Sequence, residues 1–232
     1  MKKLTKVFIG YDGVESTSWH TVAHSIMEKS KTPLALIPVN IKNLKTIHNR
    51  ELDSKQSNEF SFTRFLVPYL CDYEGMAIFM DSDMLLRVDI NEVFDEINNE
   101  KDKAVYVVKH SYEPRDDVKY LGTVQYAYPR KNWSSFVVWN CAHPKNKKLT
   151  KDYVNTASGL ELHRFTWLDD NEIGELDVRW NWLVGEYTSA PDDVKNVHWT
   201  VGGPYFKEYK DADFSQEWFE ANERMNFCKQ RE

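Results

Sequence analysis

Residues 77–85 read Ala-Ile-Phe-Met-Asp-Ser-Asp-Met-Leu, a continuous apolar run that ends in two aspartates. Three further apolar runs, each bounded by polar or turn residues, occupy positions 7–9, 34–37 and 104–108. Runs without polar alternation are typical of strands that are buried on both faces, as in a parallel sheet. The first half of the chain therefore predicts a parallel β-sheet.

Amphipathic segments separate these runs. Apolar residues recur at helical spacing in two of them, at Trp19, Val22, Ala23, Ile26 and Met27 and at Phe62, Phe65, Leu66, Tyr69 and Leu70. Pro68 falls within the second helix, and we expect it to kink or shorten that helix. Residues 89–92, Asp-Ile-Asn-Glu, predict the start of a third helix through about residue 99. This alternation of strand and helix predicts a Rossmann-like α/β sandwich.

The second half of the chain is less regular. Residues 124–128 and 136–139 predict strands that add antiparallel pieces at the edge of the sheet. Residues 215–230 carry an apolar stripe and predict a closing helix. Because no repeat or Gly/Ser-rich linker interrupts the 232 residues, we expect one continuous domain.

The composition excludes several classes of protein. There are 30 Lys+Arg against 36 Asp+Glu, a net charge of −6, which argues against a nucleic-acid partner. Three scattered cysteines argue against a disulfide scaffold or a zinc ribbon and favour a reducing compartment. No apolar run is long enough for an integral membrane segment or a signal peptide, so we expect a cytoplasmic protein. The oligomeric state has no signature in the sequence.

The two aspartates after the third apolar run are the sharpest candidate site. Ligands of open α/β sheets bind beyond the carboxyl ends of the strands, and Asp81 and Asp83 would repel each other there without a cation or a proton. Mg²⁺ or Mn²⁺ sharing its ligands with substrate phosphates would satisfy both acids. The alternatives are a pair of solvated or capping aspartates, and a haloacid-dehalogenase-type phosphohydrolase, in which the first Asp is the nucleophile. The phosphohydrolase pattern normally lies on the first strand.

Four more polar residues are candidates. His198 precedes a Gly-Gly-Pro turn and would, as a third ligand, favour Mn²⁺ over Mg²⁺; a lone histidine is otherwise a structural residue. Arg64 falls off the apolar stripe of its helix and would bind phosphate or sugar hydroxyls, unless it forms an exposed ion pair. Asp169 and Asp170 would bind sugar hydroxyls, unless they cap a turn.

Five stretches in this order resemble a family 8 glycosyltransferase of GT-A fold, the group that includes glycogenin and bacterial galactosyltransferases. They are residues 7–12, 62–65 and 81–83, the Asp169-Asp170-Asn171 segment with Trp180-Asn181, and His198 with Gly202 and Pro204. The resemblance implies one GT-A (Rossmann-like) domain. Its central, mostly parallel sheet would be flanked by helices and carry a small antiparallel addition.

The resemblance also implies a role for each stretch. It assigns the metal ion to Asp81, Asp83 and His198, and catalysis to Arg64, Asp169 and Asp170. It assigns the nucleotide sugar to Val7, Phe8, Ile9, Gly10, Tyr11, Asp12, Arg64, Ser82, Gly202, Gly203 and Lys207. The sequence departs from the family pattern in four places. The glycine spacing after His198 is one residue longer, and no lysine precedes Pro204. Residues 133–136 match the family's F-N-[SA]-G segment only loosely, and the central Gln of its D-Q-D segment has no clear counterpart.

The implied activity is the metal-dependent transfer of a hexose, with retention, from a nucleotide sugar to a glycan or protein acceptor. The donor would be UDP-linked and the metal Mn²⁺ or Mg²⁺. The implied layout within residues 1–232 is a nucleotide-binding half at 1–110, an acceptor and donor-sugar half at 111–205, and a C-terminal helical segment at 206–232. Two alternatives remain, a catalytically inactive protein that binds sugars or a partner, and a sugar-nucleotide pyrophosphorylase.

Overall fold

The structure is a computed structural model, and it describes residues 4–51, 56, 58–97, 102–111 and 129–227. The strands are β1 (Thr5–Gly10), β2 (Leu34–Val39), β3 (Met76–Met80), β4 (Met84–Leu86), β5 (Val105–Val107), β6 (Phe136–Asn140), β7 (Ile173–Glu175), β8 (Trp182–Leu183) and β9 (Asn196–His198). The α-helices are α1 (Ser16–Lys29), α2 (Val67–Leu70), α3 (Val93–Glu96), α4 (Lys151–Thr156), α5 (Gly159–His163) and α6 (Ser215–Asn226).

The central sheet of the described residues has the strand order β2-β1-β3-β6-β5-β7. β1 pairs in parallel with β2 and β3, and β5 pairs in parallel with β7. β6 is antiparallel to both of its neighbours. The mostly parallel α/β sheet flanked by helices is therefore confirmed, and strands from both halves of the chain build it.

The position of β6 differs from the prediction. Residues 136–139 were expected to add an edge piece, but β6 lies inside the sheet between β3 and β5. Its four residues from Phe136 to Trp139 are at most 1% exposed. A strand that is apolar on both faces is accommodated in the interior of a sheet better than at its edge. The second predicted strand, 124–128, lies outside the described residues.

The helices follow the predicted stripes with shorter bounds. In α1, Val22 and Ile26 are fully buried, whereas Met27 of the same stripe is 57% exposed. The second predicted helix is split into a 3-10 helix (Thr63–Leu66) and α2, with Pro68 in the first turn of α2, where no amide hydrogen is needed. The third begins as a 3-10 helix after Asp89, which accepts a hydrogen bond from the Asn91 amide, and α3 ends at Glu96.

The core lies on both faces of the central sheet. Alternate residues of the strands enter two clusters, so that Phe8 and Phe79 pack on one face and Val7 and Ile78 on the other. The first face collects much of the aromatic content of the chain, and the centroids of four rings lie 5.2–6.4 Å from that of Phe65. The helices are thereby fixed against the sheet, and the carboxyl ends of β1, β3 and β5 are left for the site.

A second, small sheet extends one end of the central sheet. Its strand order is β4-β9-β8, with β4 antiparallel and β8 parallel to β9. β4 begins directly after Asp83, and its first residue, Met84, pairs with His198. This pairing brings the distant histidine to the aspartates.

Candidate metal centre

Asp81, Asp83 and His198 converge at the carboxyl end of β3. Each offers one ligand atom, and these three atoms lie within 4.8 Å of one another. The backbone holds them there: the Asp81 amide donates to the Ser135 carbonyl at 2.9 Å, and the Trp199 amide donates to the Asp83 carbonyl at 3.0 Å. The cluster is therefore built by strand ends and does not depend on a mobile side chain.

His198 is held by an asparagine behind it. The Asn181 amide group donates from Nδ2 to Ser135 Oγ at 2.8 Å and to the Asn132 carbonyl at 3.3 Å, so its Oδ1 faces His198 Nδ1 at 2.8 Å. An acceptor on that side keeps the proton on Nδ1 and leaves the lone pair of Nε2 for a ligand. Asn181 thus orients the imidazole as a metal-ligating histidine requires.

The donor set fits a divalent cation. His198 Nε2 lies 3.4 Å from Asp83 Oδ1, and with the proton on Nδ1 two lone pairs face each other across this gap. Asp83 Oδ1 is buried and accepts no hydrogen bond from the residues that the structure describes. A cation between the two acceptors would satisfy both. Two carboxylates and one imidazole suit Mn²⁺ and also fit Mg²⁺ or Zn²⁺.

Arg64 lies beneath the cluster. Its guanidinium, on a residue only 4% exposed, is 2.8 Å from Asp81 Oδ1 and donates to the Ser134 carbonyl at 2.9 Å. The rings of Phe60 and Phe79 lie 5.3 and 5.0 Å from the guanidinium carbon. Arg64 therefore orients and neutralises Asp81, and the exposed surface pair considered from the sequence is wrong.

A histidine and a tyrosine that the sequence analysis missed lie beside the cluster. His110 follows β5 and is joined through Nδ1 to Tyr187 Oη at 2.7 Å. Burial lowers the pKa of His110 to about 3, so this imidazole is neutral. Burial, with the charge of Glu186 adding, raises the pKa of Tyr187 to about 12. The strand-end rule that selected the aspartates applies also to His110, which lies two residues after the fourth apolar run.

The structure does not bring Asp169 and Asp170 to the cluster. Both side chains are largely exposed, at 79% and 89%. Asp169 forms an ion pair with Lys145 at 3.6 Å, and Asp170 forms one with Arg130. Asp169 forms a capping box at the start of the Asp170–Glu172 3-10 helix, which matches the turn-capping interpretation of that residue.

The register of the sheet explains this separation. These two carboxylates precede β7, whose first residue, Ile173, pairs with Val105 at the start of β5. Val105 also pairs with Trp139 of β6, and Trp139 pairs with Ala77 of β3, which lies four residues before Asp81. At about 3.3 Å per residue, four residues along a strand span about 13 Å. The chain therefore enters β7 at the end of the sheet opposite the carboxyl end of β3, where the cluster lies.

The residues of the first strand divide into core and edge. Val7, Phe8 and Ile9 are at most 2% exposed and pack in the core, so their side chains are not available to a nucleotide. Gly10 and the Tyr11–Asp12 loop lie at the carboxyl edge. Asp12 is 7% exposed and accepts hydrogen bonds from the amides of Val14 and Glu59, so its carboxylate braces this loop.

The glycines after His198 have a packing role. A Cβ atom on Gly202 would lie 2.3 Å from the Tyr209 ring, and one on Gly203 would lie 2.2 Å from the Tyr205 ring. The close approach expected of a ligand is therefore made by two tyrosines.

Ser82 is 1% exposed within the Asp-Ser-Asp turn. Lys207 is exposed, in the 3-10 helix Lys207–Tyr209.

Comparison with known proteins identifies one curated relative and a group of solved structures. Protein CDI of Arabidopsis thaliana is 43% identical over 231 residues, which cover 97% of this chain and 88% of the relative. No protein-family model matches the chain. Among the helices described, none combines the length and the apolar character that crossing a bilayer would require.

The similar solved structures are glycosyltransferases. The galactosyltransferase LgtC, solved with donor and acceptor sugar analogs, has a TM-score of 0.61 at 10% identity, with 97% of this chain and 98% of LgtC covered. The bifunctional glycosyltransferase WbbM has a TM-score of 0.64 at 15% identity, and this chain spans half of its length while 96% of this chain is covered. GlyE of Streptococcus pneumoniae TIGR4 has a TM-score of 0.59 at 13% identity, with 95% of this chain and 61% of GlyE covered. These likenesses establish a fold of the GT-A glycosyltransferase type.

Proposed function

We propose that this chain, which belongs to the same family as Protein CDI of Arabidopsis thaliana, is a metal-dependent glycosyltransferase. It transfers a hexose from a nucleotide sugar, UDP-linked, to a glycan or protein acceptor. The observation that carries the proposal is the convergence of Asp81, Asp83 and His198 within 4.8 Å at the carboxyl end of β3, in a fold shared with glycosyltransferases. Membership of family 8, and the retention of anomeric configuration that it implies, rest on the sequence resemblance.

The chemistry breaks the bond between an anomeric carbon and a diphosphate, so negative charge builds up on the leaving group. A divalent cation held by Asp81, Asp83 and His198 supplies positive charge against that diphosphate. Arg64 acts through Asp81, because its buried guanidinium holds that carboxylate in place. Asn181 acts through His198, because it holds the proton on Nδ1.

The nucleotide is assigned to the loop that follows β1. Tyr11 and Asp12 lie at the carboxyl edge of β1, where their loop would contact the nucleotide. The catalytic role of Asp169 and Asp170 stays a prediction that rests on the resemblance alone, and Asp169→Asn in the assay below tests it. We also propose that residues 1–110 form the nucleotide-binding half, residues 111–205 the acceptor and donor-sugar half and residues 206–232 the C-terminal helical segment, and that the protein works in the cytoplasm.

The assay measures nucleoside diphosphate release from a panel of nucleotide sugars with and without Mn²⁺. We expect release that needs Mn²⁺ and that falls at least about 10- to 100-fold in Asp83→Asn, because loss of even an outer-shell partner of a metal ligand has an effect of that size and Asp83 is itself a ligand. The matched control is Asp102→Asn, which changes an exposed aspartate paired with Lys103 outside the cluster. Tight nucleotide binding without turnover by the wild-type protein would replace the proposal with a non-catalytic sugar-nucleotide-binding protein. If the rate of release is the same with and without Mn²⁺ and the same in Asp83→Asn, the metal centre is refuted.

A further inference from the structure

A side-chain hydrogen bond joins two loops beside the candidate metal centre. The first-strand loop comprises residues 11–15, and the post-β9 loop comprises residues 199–205. Tyr205 Oη donates to a carboxylate oxygen of Glu15, across 190 residues of sequence. Neither residue belongs to the metal cluster or has a role in the function proposed above.

The first-strand loop is adjacent to the cluster through the sheet. Ile9, just before the loop, pairs with Met80, the residue that precedes Asp81. Within the loop, the Tyr11 amide donates to the Val39 carbonyl at 3.2 Å. Glu15 ends the loop at the start of α1 and is 6% exposed. A contact to its carboxylate therefore constrains both the loop and the start of the helix.

The post-β9 loop is adjacent to the cluster on the other side. It starts at Trp199, whose amide donates to the Asp83 carbonyl at 3.0 Å. The Tyr205 ring lies against the backbone of Gly203, where a Cβ atom would come within 2.2 Å of it, and its centroid is 5.3 Å from the ring of Trp218 on α6. The ring is thus confined from two sides, and its hydroxyl has a defined position.

We propose that the hydrogen bond from Tyr205 to Glu15 is a positioning contact that sets the spacing of the two loops and so pre-organises the nucleotide-sugar site. The inference rests on the proposed function, in which the first-strand loop contacts the nucleotide and the cluster beside both loops holds the cation of the diphosphate. A site whose loops are already at the binding distance loses less conformational entropy when the donor binds. Tyr205 and Glu15 are therefore positioning residues that act on donor affinity.

The first test needs no nucleotide. Tyr205→Phe keeps the ring against Trp218 and removes only the hydroxyl that forms the hydrogen bond. Amide hydrogen exchange is therefore expected to rise in both loops together. Glu15→Gln retains a carbonyl acceptor, and exchange is expected to stay near that of the wild type. The matched control is Tyr73→Phe, which removes a hydroxyl that donates to the Leu149 carbonyl elsewhere in the fold. Unchanged exchange in either loop of Tyr205→Phe overturns the inference, whether or not the protein binds nucleotides.

The second test measures donor affinity. Calorimetric titration with UDP and Mn²⁺ is expected to give about tenfold weaker binding to Tyr205→Phe, as for the loss of one hydrogen bond to a charged group. With a turned-over donor, KM is expected to rise while kcat changes by less than about twofold. Equal UDP affinity in Tyr205→Phe and wild type overturns the inference. Failure of the wild type to bind UDP overturns the proposed donor class, and the exchange result then still decides whether the contact couples the loops.

Discussion

At the scale of single residues, the buried ion pair of Arg64 and Asp81 carries the clearest energetic consequence. Both residues are at most 8% exposed. In Arg64→Met the Asp81 carboxylate stays buried without its cation, which is expected to lower the free energy of unfolding by about 3–5 kcal/mol. Urea denaturation of the metal-free protein measures this loss. Arg224→Met is the matched control, since its pair with Glu28 is solvent-exposed and should cost less than about 1 kcal/mol. Equal losses in the two variants would show that Asp81 does not depend on Arg64.

At the scale of an element, the carboxyl end of β1 is constrained by a close approach to Phe60. A Cβ atom on Gly10 would lie 2.3 Å from the Phe60 ring, which is buried and cannot swing away. Gly10→Ala is therefore expected to lower the free energy of unfolding by about 1–3 kcal/mol through overpacking. Three residues on, a Cβ atom on Gly13 would meet nothing nearer than Lys42 Nζ at 3.9 Å, so Gly13→Ala should stay within about 0.5 kcal/mol of wild type. Thermal unfolding of both variants tests the contrast. If Gly10→Ala is as stable as the wild type, the Phe60 ring does not lie against Gly10 at the end of β1.

At the scale of the whole molecule, buried histidines make the fold sensitive to acid. Burial lowers the pKa of His110 and of His163 to about 3, against about 6.5 in the unfolded chain, and burial lowers that of His48 as well. Between these values the unfolded chain binds more protons, so stability is lost as the pH falls below 6.5. Each histidine held at about 3 contributes about 1.4 kcal/mol per pH unit in this window.

Chemical denaturation between pH 7 and pH 5 measures this dependence. Carboxylates with lowered pKa values, such as those of Glu28 and Asp89, lose their contribution only at lower pH, so the window isolates the histidines. His163→Gln is expected to reduce the slope by about 1 kcal/mol per pH unit on average between pH 7 and pH 5, because the limit of about 1.4 is reached only well below pH 6.5. An unchanged slope in that variant would mean that His163 has the same pKa in the native protein as in the unfolded chain.

The sequence by itself determined the local part of this protein. Buried strands appear as apolar runs, so the central sheet was predictable from runs such as 77–80, and the aspartates that follow were correctly assigned to a strand end. The position of His198 beside them rested on the family resemblance, because backbone pairing of β4 with β9 is not encoded in either segment alone. Local patterns encode burial and periodicity, which are properties of neighbouring residues.

The tertiary structure decided the contacts between segments that are distant in the chain. Arg64 was predicted to bind the donor, yet it lies beneath Asp81. Asp169 and Asp170 entered the resemblance by order along the chain, but the register of β7 places them toward the opposite edge of the sheet. The partners Asn181 with His198 and Tyr205 with Glu15 had no sequence signal, because packing of whole elements sets which side chains meet across dozens of residues, and no spacing in one segment records it.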